Sequence, residues 1–343
     1  MRGVERLKGR HWPGLLLGVL VVSSAALLIR EAQAAGAGGV AIASGRLGIA
    51  VACLVPLIAW KAGRGAAARP LALSLRDVGI AVGAGILLAL HFVAWISSLA
   101  LTSVASSVAL VTTNPIWVAL GAWALLGERP PVRQWMGIGL ALAGALAILA
   151  GDGLSGGGPS LVDTDQSATA LRGDALAVAG AVTISGYLLI GRGLARRLPM
   201  LTYLFLVYGA AAVVLLTWAV AIGQAPWALP QSAIPWVVLL ALGPQLLGHT
   251  AINLALRQLS PGFVALAILG EPIGSALLAW AIYGERIGIW QTIGFALLVA
   301  GIAVAARAEA QTGVTGLTAP DQRTDERTSH HSGLEQGRRE HPD

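Results

Sequence analysis

Glu271 stands immediately before Pro272 in the middle of an otherwise apolar stretch. A carboxylate facing lipid is costly, so it must pair, be protonated or face water. If it takes up and releases a proton, it could couple solute movement to a proton gradient. The competing role is structural. Pro272 lacks an N–H and disturbs the preceding turn, and Glu271 could bond the backbone groups that this frees. Asn114 stands before Pro115 in the same way. An amide takes up no proton, and an interhelical hydrogen bond of about 0.6–2 kcal/mol accounts for it.

Arg46 also lies inside an apolar stretch. Its fork of donors could bind a solute carboxylate, or it could reach out to the interface or to Glu31. His91 and His249 could shuttle protons, since imidazole titrates near neutral pH, or make structural hydrogen bonds. Without cysteine or carboxylate neighbours at ligand spacing they argue for no metal site. Asn253 follows His249 by one turn and is expected on the same face. Trp95, Tyr187, Tyr203 and Tyr208 could line a cavity and stack on an aromatic or cationic solute. Trp95 and Tyr187 sit deepest in their runs, whereas Trp12, Trp60, Trp227 and Trp236 suit an interfacial belt. The expected solute contacts are therefore His91, Trp95, Asn114, Tyr187, His249 and Asn253. Arg46 is the candidate carboxylate contact and Glu271 the candidate coupling group, beside the structural roles given above. No residues are assigned to catalysis and no cofactor is expected.

The elements that must position these groups are membrane helices. Apolar residues make up 56% of the chain and charged residues only 12%, with mean hydropathy +0.73. A water-exposed surface needs more charge than that. The net charge of +6 forms no patch suited to nucleic acid; the basic residues sit in short gaps between apolar runs. Cys53 is the only cysteine, which excludes an intrachain disulfide. A span needs roughly 20 apolar residues. Ten runs qualify: 13–33, 38–60, 77–98, 104–126, 133–151, 173–193, 199–222, 233–256, 260–283 and 287–307.

One passage occurs twice. Asn114-Pro115 matches Glu271-Pro272, and Gly127-Glu128-Arg129 matches Gly284-Glu285-Arg286. In the same register Gln134 matches Gln291, Gly137 matches Gly294 and Gly144 matches Gly301. Ser24, Leu27, Leu28 and Ile29 match Ser185, Leu188, Leu189 and Ile190. This argues that the first run is a repeat helix rather than a signal peptide, although four basic residues precede it and Ala32-Gln33-Ala34 resembles a cleavage site. The expected organisation is a cytoplasmic segment 1–12, a first repeat 13–151, a periplasmic linker 152–172, a second repeat 173–307 and a disordered cytoplasmic tail 308–343. With the N-terminus inside, Lys61, Arg64, Arg69, Arg76, Arg129, Arg133, Arg192, Arg196, Arg197 and Arg257 all fall on the inner side. Only Arg30, Arg172 and Arg286 fall outside, as the excess of cytoplasmic Lys and Arg requires. Five spans per half force the second half to insert upside down, so Glu128 would lie at the inner face and Glu285 at the outer.

Leu90-His91-Phe92-Val93-Ala94-Trp95, Ala100 to Ser106, Asn114-Pro115 through Pro130, and the second-half Glu271-Pro272 and Gly284-Glu285-Arg286 carry a resemblance. The sequence resembles the drug/metabolite transporter superfamily, in its EamA-type branch of ten helices and two EamA repeats, from about Leu15 to Ala306. The resemblance implies an all-α integral membrane protein with two inverted five-helix repeats around a central cavity. It also implies a carrier of small metabolites, often an exporter of amino acids or related compounds.

The expected protein is thus a secondary transporter working by alternating access in the bacterial inner membrane, with both termini cytoplasmic. Its partners are a small-molecule solute and membrane lipid, with no nucleic acid, as a monomer or homodimer. No nucleotide-binding Gly-Lys-Ser/Thr loop is present to let ATP drive it. Two other classes compete. A polytopic membrane enzyme needs clustered Asp, His or Ser near one membrane face, and these short loops carry no such cluster. A channel favours repeated polar residues along a helix face, and these helices carry few.

Overall fold

The computed structural model describes residues 12–63, 73–102, 107, 110–154, 164–284 and 287–315. Residues 1–11, 155–163 of the expected linker, Glu285-Arg286 and 316–343 of the expected tail lie outside the described residues, as does Ser103 to Ser106. Among the described residues there is helix and turn and no strand.

The helices are α1 (Trp12–Val22), α2 (Ala25–Ala34), α3 (Gly39–Gly63), α4 (Leu75–Ser98), α5 (Asn114–Leu126), α6 (Val132–Leu154), α7 (Thr164–Arg197) and α8 (Met200–Ala221). There follow α9 (Ile234–Leu240), a π-helical segment Ala241–His249, α10 (Thr250–Leu256), α11 (Pro261–Ile268), α12 (Glu271–Tyr283) and α13 (Ile289–Thr315). Eight stretches among the described residues are long and apolar enough to cross a membrane: Pro13–Ala34, Gly39–Lys61, Leu75–Ser98, Leu171–Arg197, Met200–Ala221, Gln231–Leu256, Pro261–Ile282 and Ile289–Arg307. Asn114–Leu125 is a shorter apolar helix. The apolar runs and the helices coincide closely. The helices differ from the runs at some ends, where α7 begins at Thr164 inside the expected linker and α13 continues to Thr315 into the expected tail, and in the middle of runs 13–33, 233–256 and 260–283, each of which is divided.

Hydrophobic runs fix where helices form, and local residues fix where they stop. Gly127 and Gly284 each end a helix with φ +68, a left-handed turn that a β-carbon would disfavour. They are the matched glycines of the doubled motif, so that motif specifies a helix stop in both copies. Ser74 and Ser260 cap α4 and α11 by accepting from the backbone N–H of Asp77 and Phe263. The outward helix faces are apolar. Trp123 and its counterpart Trp280 are 54% and 57% exposed, alongside exposed Leu16, Leu20 and Val213. Such a surface suits lipid and would drive association in water.

The helices pair in a regular way. The α6 helix packs along α13, α3 along α8, α4 along α7, and the α1–α2 pair along α9, the π segment and α10. Residues from different loops gather at two ends of the bundle. At one end Arg192 pairs with Glu128, Arg197 with Asp77, and Arg257 donates to the carbonyls of Ala195 and Leu198. Glu128 therefore pairs with the other half of the chain. At the other end Thr102 donates to Asp174 at 2.8 Å. Asp174 and Arg192 lie on one helix about 27 Å apart at 1.5 Å per residue, close to the thickness of a hydrocarbon core.

Candidate functional site

Two of the apolar stretches, Pro13–Ala34 and Pro261–Ile282, are interrupted near their middles, a turn precedes the shorter helix at Asn114, and a fourth irregularity is the π-helical segment. The first span breaks at Ser23-Ser24, where the hydroxyls donate to the carbonyls of Val19 and Val21. The chain turns at Thr112-Thr113 before α5 starts at Asn114, and at Leu269-Gly270 before α12 starts at Glu271. The π segment contains Pro244, whose missing N–H cannot join an α-helical ladder, and wider π turns accommodate it. Irregular backbone at membrane depth is tolerated where it is buried in protein or lines a cavity.

These interruptions surround one cavity. Val22 and Ala25 border it from the first break, Thr112 and Asn114 from the second, Ile268 and Glu271 from the third, and His249 from the π segment. His91, Phe92 and Trp95 of α4, Ile184, Tyr187 and Leu188 of α7, Arg46 of α3, Ile252 of α10 and Val111 before the second break complete it. Its empty space, open mouth included, is about 650 Å³. Ile184 lies midway along the Leu171–Arg197 span, so the cavity is level with the middle of the bundle.

Of the residues singled out from sequence, Arg46, His91, Trp95, Asn114, Tyr187, His249 and Glu271 border this cavity. Asn253 does not. It is buried behind the wall and accepts from the Tyr187 hydroxyl at 2.8 Å and the Tyr203 hydroxyl at 3.4 Å. Tyr203 and Tyr208 are likewise buried outside the lining, and Tyr208 donates to the Gln245 carbonyl at 3.5 Å.

Arg46 is 1% exposed, which rules out an outward-reaching side chain. Its Nε donates to Gln245 Oε1 at 2.9 Å, and its guanidinium lies 4.3 Å from the centre of the Phe92 ring. Nη1 and Nη2 have no hydrogen-bond partner. Hydrogen bonds to a charged group contribute about 1.5–3 kcal/mol, and a desolvated cation–π contact about 2 kcal/mol. Burying a charge without an anion costs several kcal/mol, so these two contacts hold the guanidinium but leave it in need of a counter-charge. Glu271 is the one carboxyl group among the described residues that line the same cavity. Glu271 also opens α12, where the helix N-terminus favours negative charge.

The unpartnered buried side-chain atoms among the described residues are all nitrogens: both Arg46 Nη, Trp95 Nε1, Gln245 Nε2 and Asn253 Nδ2. Three of these five belong to side chains bordering the cavity. His91 stacks on Trp95 with ring centres 5.9 Å apart, and Phe92 meets His249 edge-on at 5.7 Å. The His91 Nδ1 lies 3.0 Å from the Gly180 carbonyl. A carbonyl only accepts, so Nδ1 carries the hydrogen and, in the neutral ring, Nε2 is an acceptor. Asn114 accepts at its backbone oxygen from Ser185 at 3.0 Å. No three His, Cys, Asp or Glu side chains among the described residues come together as a metal site.

Sequence reasoning missed Gln245 and Phe92. Gln245 had a usable signal, as an amide following a proline inside an apolar run. Phe92 had none, because an apolar side chain in an apolar helix is unremarked until its partner is known.

A helical bundle with an apolar exterior and a mostly apolar mid-depth cavity that gathers a few polar groups is the architecture of an integral membrane protein. The EamA-like transporter family model matches the chain twice, over residues 12–150 and 171–307, and the chain belongs to that family. An uncharacterized transporter of Synechocystis sp. is 24% identical over 228 residues, covering 65% of this chain and 65% of that protein's own length. A solved crystal structure shares the fold with TM-score 0.69 at 22% identity, covering 89% of this chain and 99% of its own.

Proposed function

We propose that this transporter is a secondary carrier that exports amino acids or related compounds by alternating access. Two five-helix repeats, residues 13–151 and 173–307, insert in opposite senses to give ten spans, with 152–172 periplasmic and both termini cytoplasmic in a bacterial inner membrane. The first run stays in the bundle as a repeat helix, a reading supported by the buried packing of Leu15, Ala25 and Ile29. The repeats rock about the cavity, and it opens to each side in turn. The observation that carries this reading is the cavity itself, bordered by interrupted helices from both matched segments and by two opposite charges, Arg46 and Glu271.

Each residue then has a task. Arg46 contacts the carboxylate of the solute. His91, Trp95, Asn114, Tyr187 and His249 shape the pocket, and Asn253 supports it through Tyr187. Glu271 gives up and takes a proton as solute leaves and enters, which couples flux to the proton gradient. Support for the inverted arrangement comes from the pairing of helices across the two halves.

The test is counterflow in proteoliposomes with a panel of radiolabelled amino acids. A carrier accumulates label against unlabelled solute trapped on the other side. Flux without that trans-stimulation would identify a channel, and chemical conversion of the solute a membrane enzyme. Either result overturns the proposal.

A further inference from the structure

The geometry points to Gln245 as a positioning residue that, with Phe92, aims Arg46 so that the cavity selects a carboxylate-bearing solute. The inference rests on the reading of Arg46 as the carboxylate contact and adds what makes it one. A guanidinium has three faces of use: the Nε side, the Nη edge and the flat ring-like surface. Gln245 takes the first, at 2.9 Å. Phe92 takes up the cation, with Arg46 Cζ over its ring at 4.3 Å from the centre. Nη1 and Nη2 remain, buried and unpartnered, in a side chain that borders the cavity. Two parallel N–H groups match the two oxygens of a planar carboxylate.

Gln245 reaches this place because of the π-helical segment Ala241–His249 that carries it. It is wholly buried and 199 residues from Arg46 in sequence. An amide suits the task for an electrostatic reason. It accepts from Nε without neutralising the guanidinium, so the positive charge stays available to the solute. A carboxylate at the same place would claim that charge. Trp95 Nε1, also unpartnered and at the cavity wall, adds a donor for a further acceptor on the solute.

The experiment uses the purified full chain in detergent and two probes of equal shape, benzoate and its neutral amide benzamide. Thermal unfolding is followed as each is titrated. Benzoate is expected to raise the unfolding temperature in a saturable way, and benzamide is not. Gln245→Met, close in length but without the acceptor, is expected to raise the half-saturating benzoate concentration roughly tenfold. Gln245→Glu is expected to abolish the response while keeping an acceptor on the guanidinium. In an Arg46→Lys background, which has no Nε edge to hold, Gln245→Met is expected to add nothing. If Gln245→Met does not fold, Gln245→Glu decides. An unchanged benzoate response in either glutamine variant, or no benzoate response in the original chain, overturns the inference. The carrier reading fails separately. A protein that answers benzoate as expected but shows no trans-stimulated flux keeps this inference and loses that reading.

Discussion

Gly144 lies against Gly294, so closely that a β-carbon on Gly144 would sit 2.6 Å from the Gly294 carbonyl oxygen. A second such contact joins Gly137 and Gly301, where a β-carbon on Gly301 would sit 2.6 Å from the Gly137 oxygen. These two contacts order α6 and α13 antiparallel. Gly137 is the sequence counterpart of Gly294, and Gly144 of Gly301, so exchanging the two halves of the chain turns one contact into the other. An axis lying across the helices has this property, and it supports the reading of two oppositely inserted repeats. Lipid offers no hydrophobic drive between helices, so close backbone packing at small residues must hold this pair together.

Gly301→Ala is expected to destabilise the protein by about 1–3 kcal/mol, because the added methyl meets backbone rather than a flexible side chain. Gly139→Ala on the same α6 helix meets nothing within 4 Å and is expected to be silent. Thermal unfolding in detergent compares them, and equal effects would remove the packing argument.

Glu271→Gln is expected to leave expression and binding of solute in place and to remove the dependence of uptake on an imposed proton gradient. Uptake into proteoliposomes with and without a pH step measures this. A variant that still follows the gradient would leave Glu271 only its place at the start of α12.

Asn253→Ala removes the shared acceptor of two buried tyrosine hydroxyls. The expected cost is about 1–3 kcal/mol of stability for the unpaired phenols. Because Asn253 does not border the cavity, half-saturation for solute should change little beside Tyr187→Phe. A selective loss of affinity with unchanged melting would place Asn253 at the solute instead.

Much of this was legible in sequence for plain reasons. Long apolar runs leave helices as the only spanning structure, and Asn114-Pro115 and Glu271-Pro272 mark helix starts because proline cannot continue the preceding turn. Other features depend on contacts distant in sequence. Nothing local says that Arg46 meets Gln245 or Phe92. Asn253 follows His249 by one α-helical turn as the spacing says, yet nothing local says that its side chain meets the Tyr187 and Tyr203 hydroxyls instead of the cavity. Nor does anything local say that Glu128 meets Arg192, 64 residues further on.

Glu128→Gln is expected to cost less than about 1 kcal/mol, since that pair is partly exposed. Thermal unfolding in detergent measures it, and a loss of several kcal/mol would show the pair to be a structural tie between the halves.

The most direct test of alternating access places a cysteine on the cavity wall and closes one end. In a Cys53→Ser background, Val111→Cys is exposed to a membrane-impermeant maleimide from each side in turn. Thr102→Cys and Asp174→Cys, whose native side chains touch at 2.8 Å, are joined by a short thiol crosslinker. Before crosslinking, the account predicts labelling from both sides; afterwards, from the opposite side alone. Labelling that continues through the crosslinked end, or that never reaches Val111→Cys from either side, would contradict it.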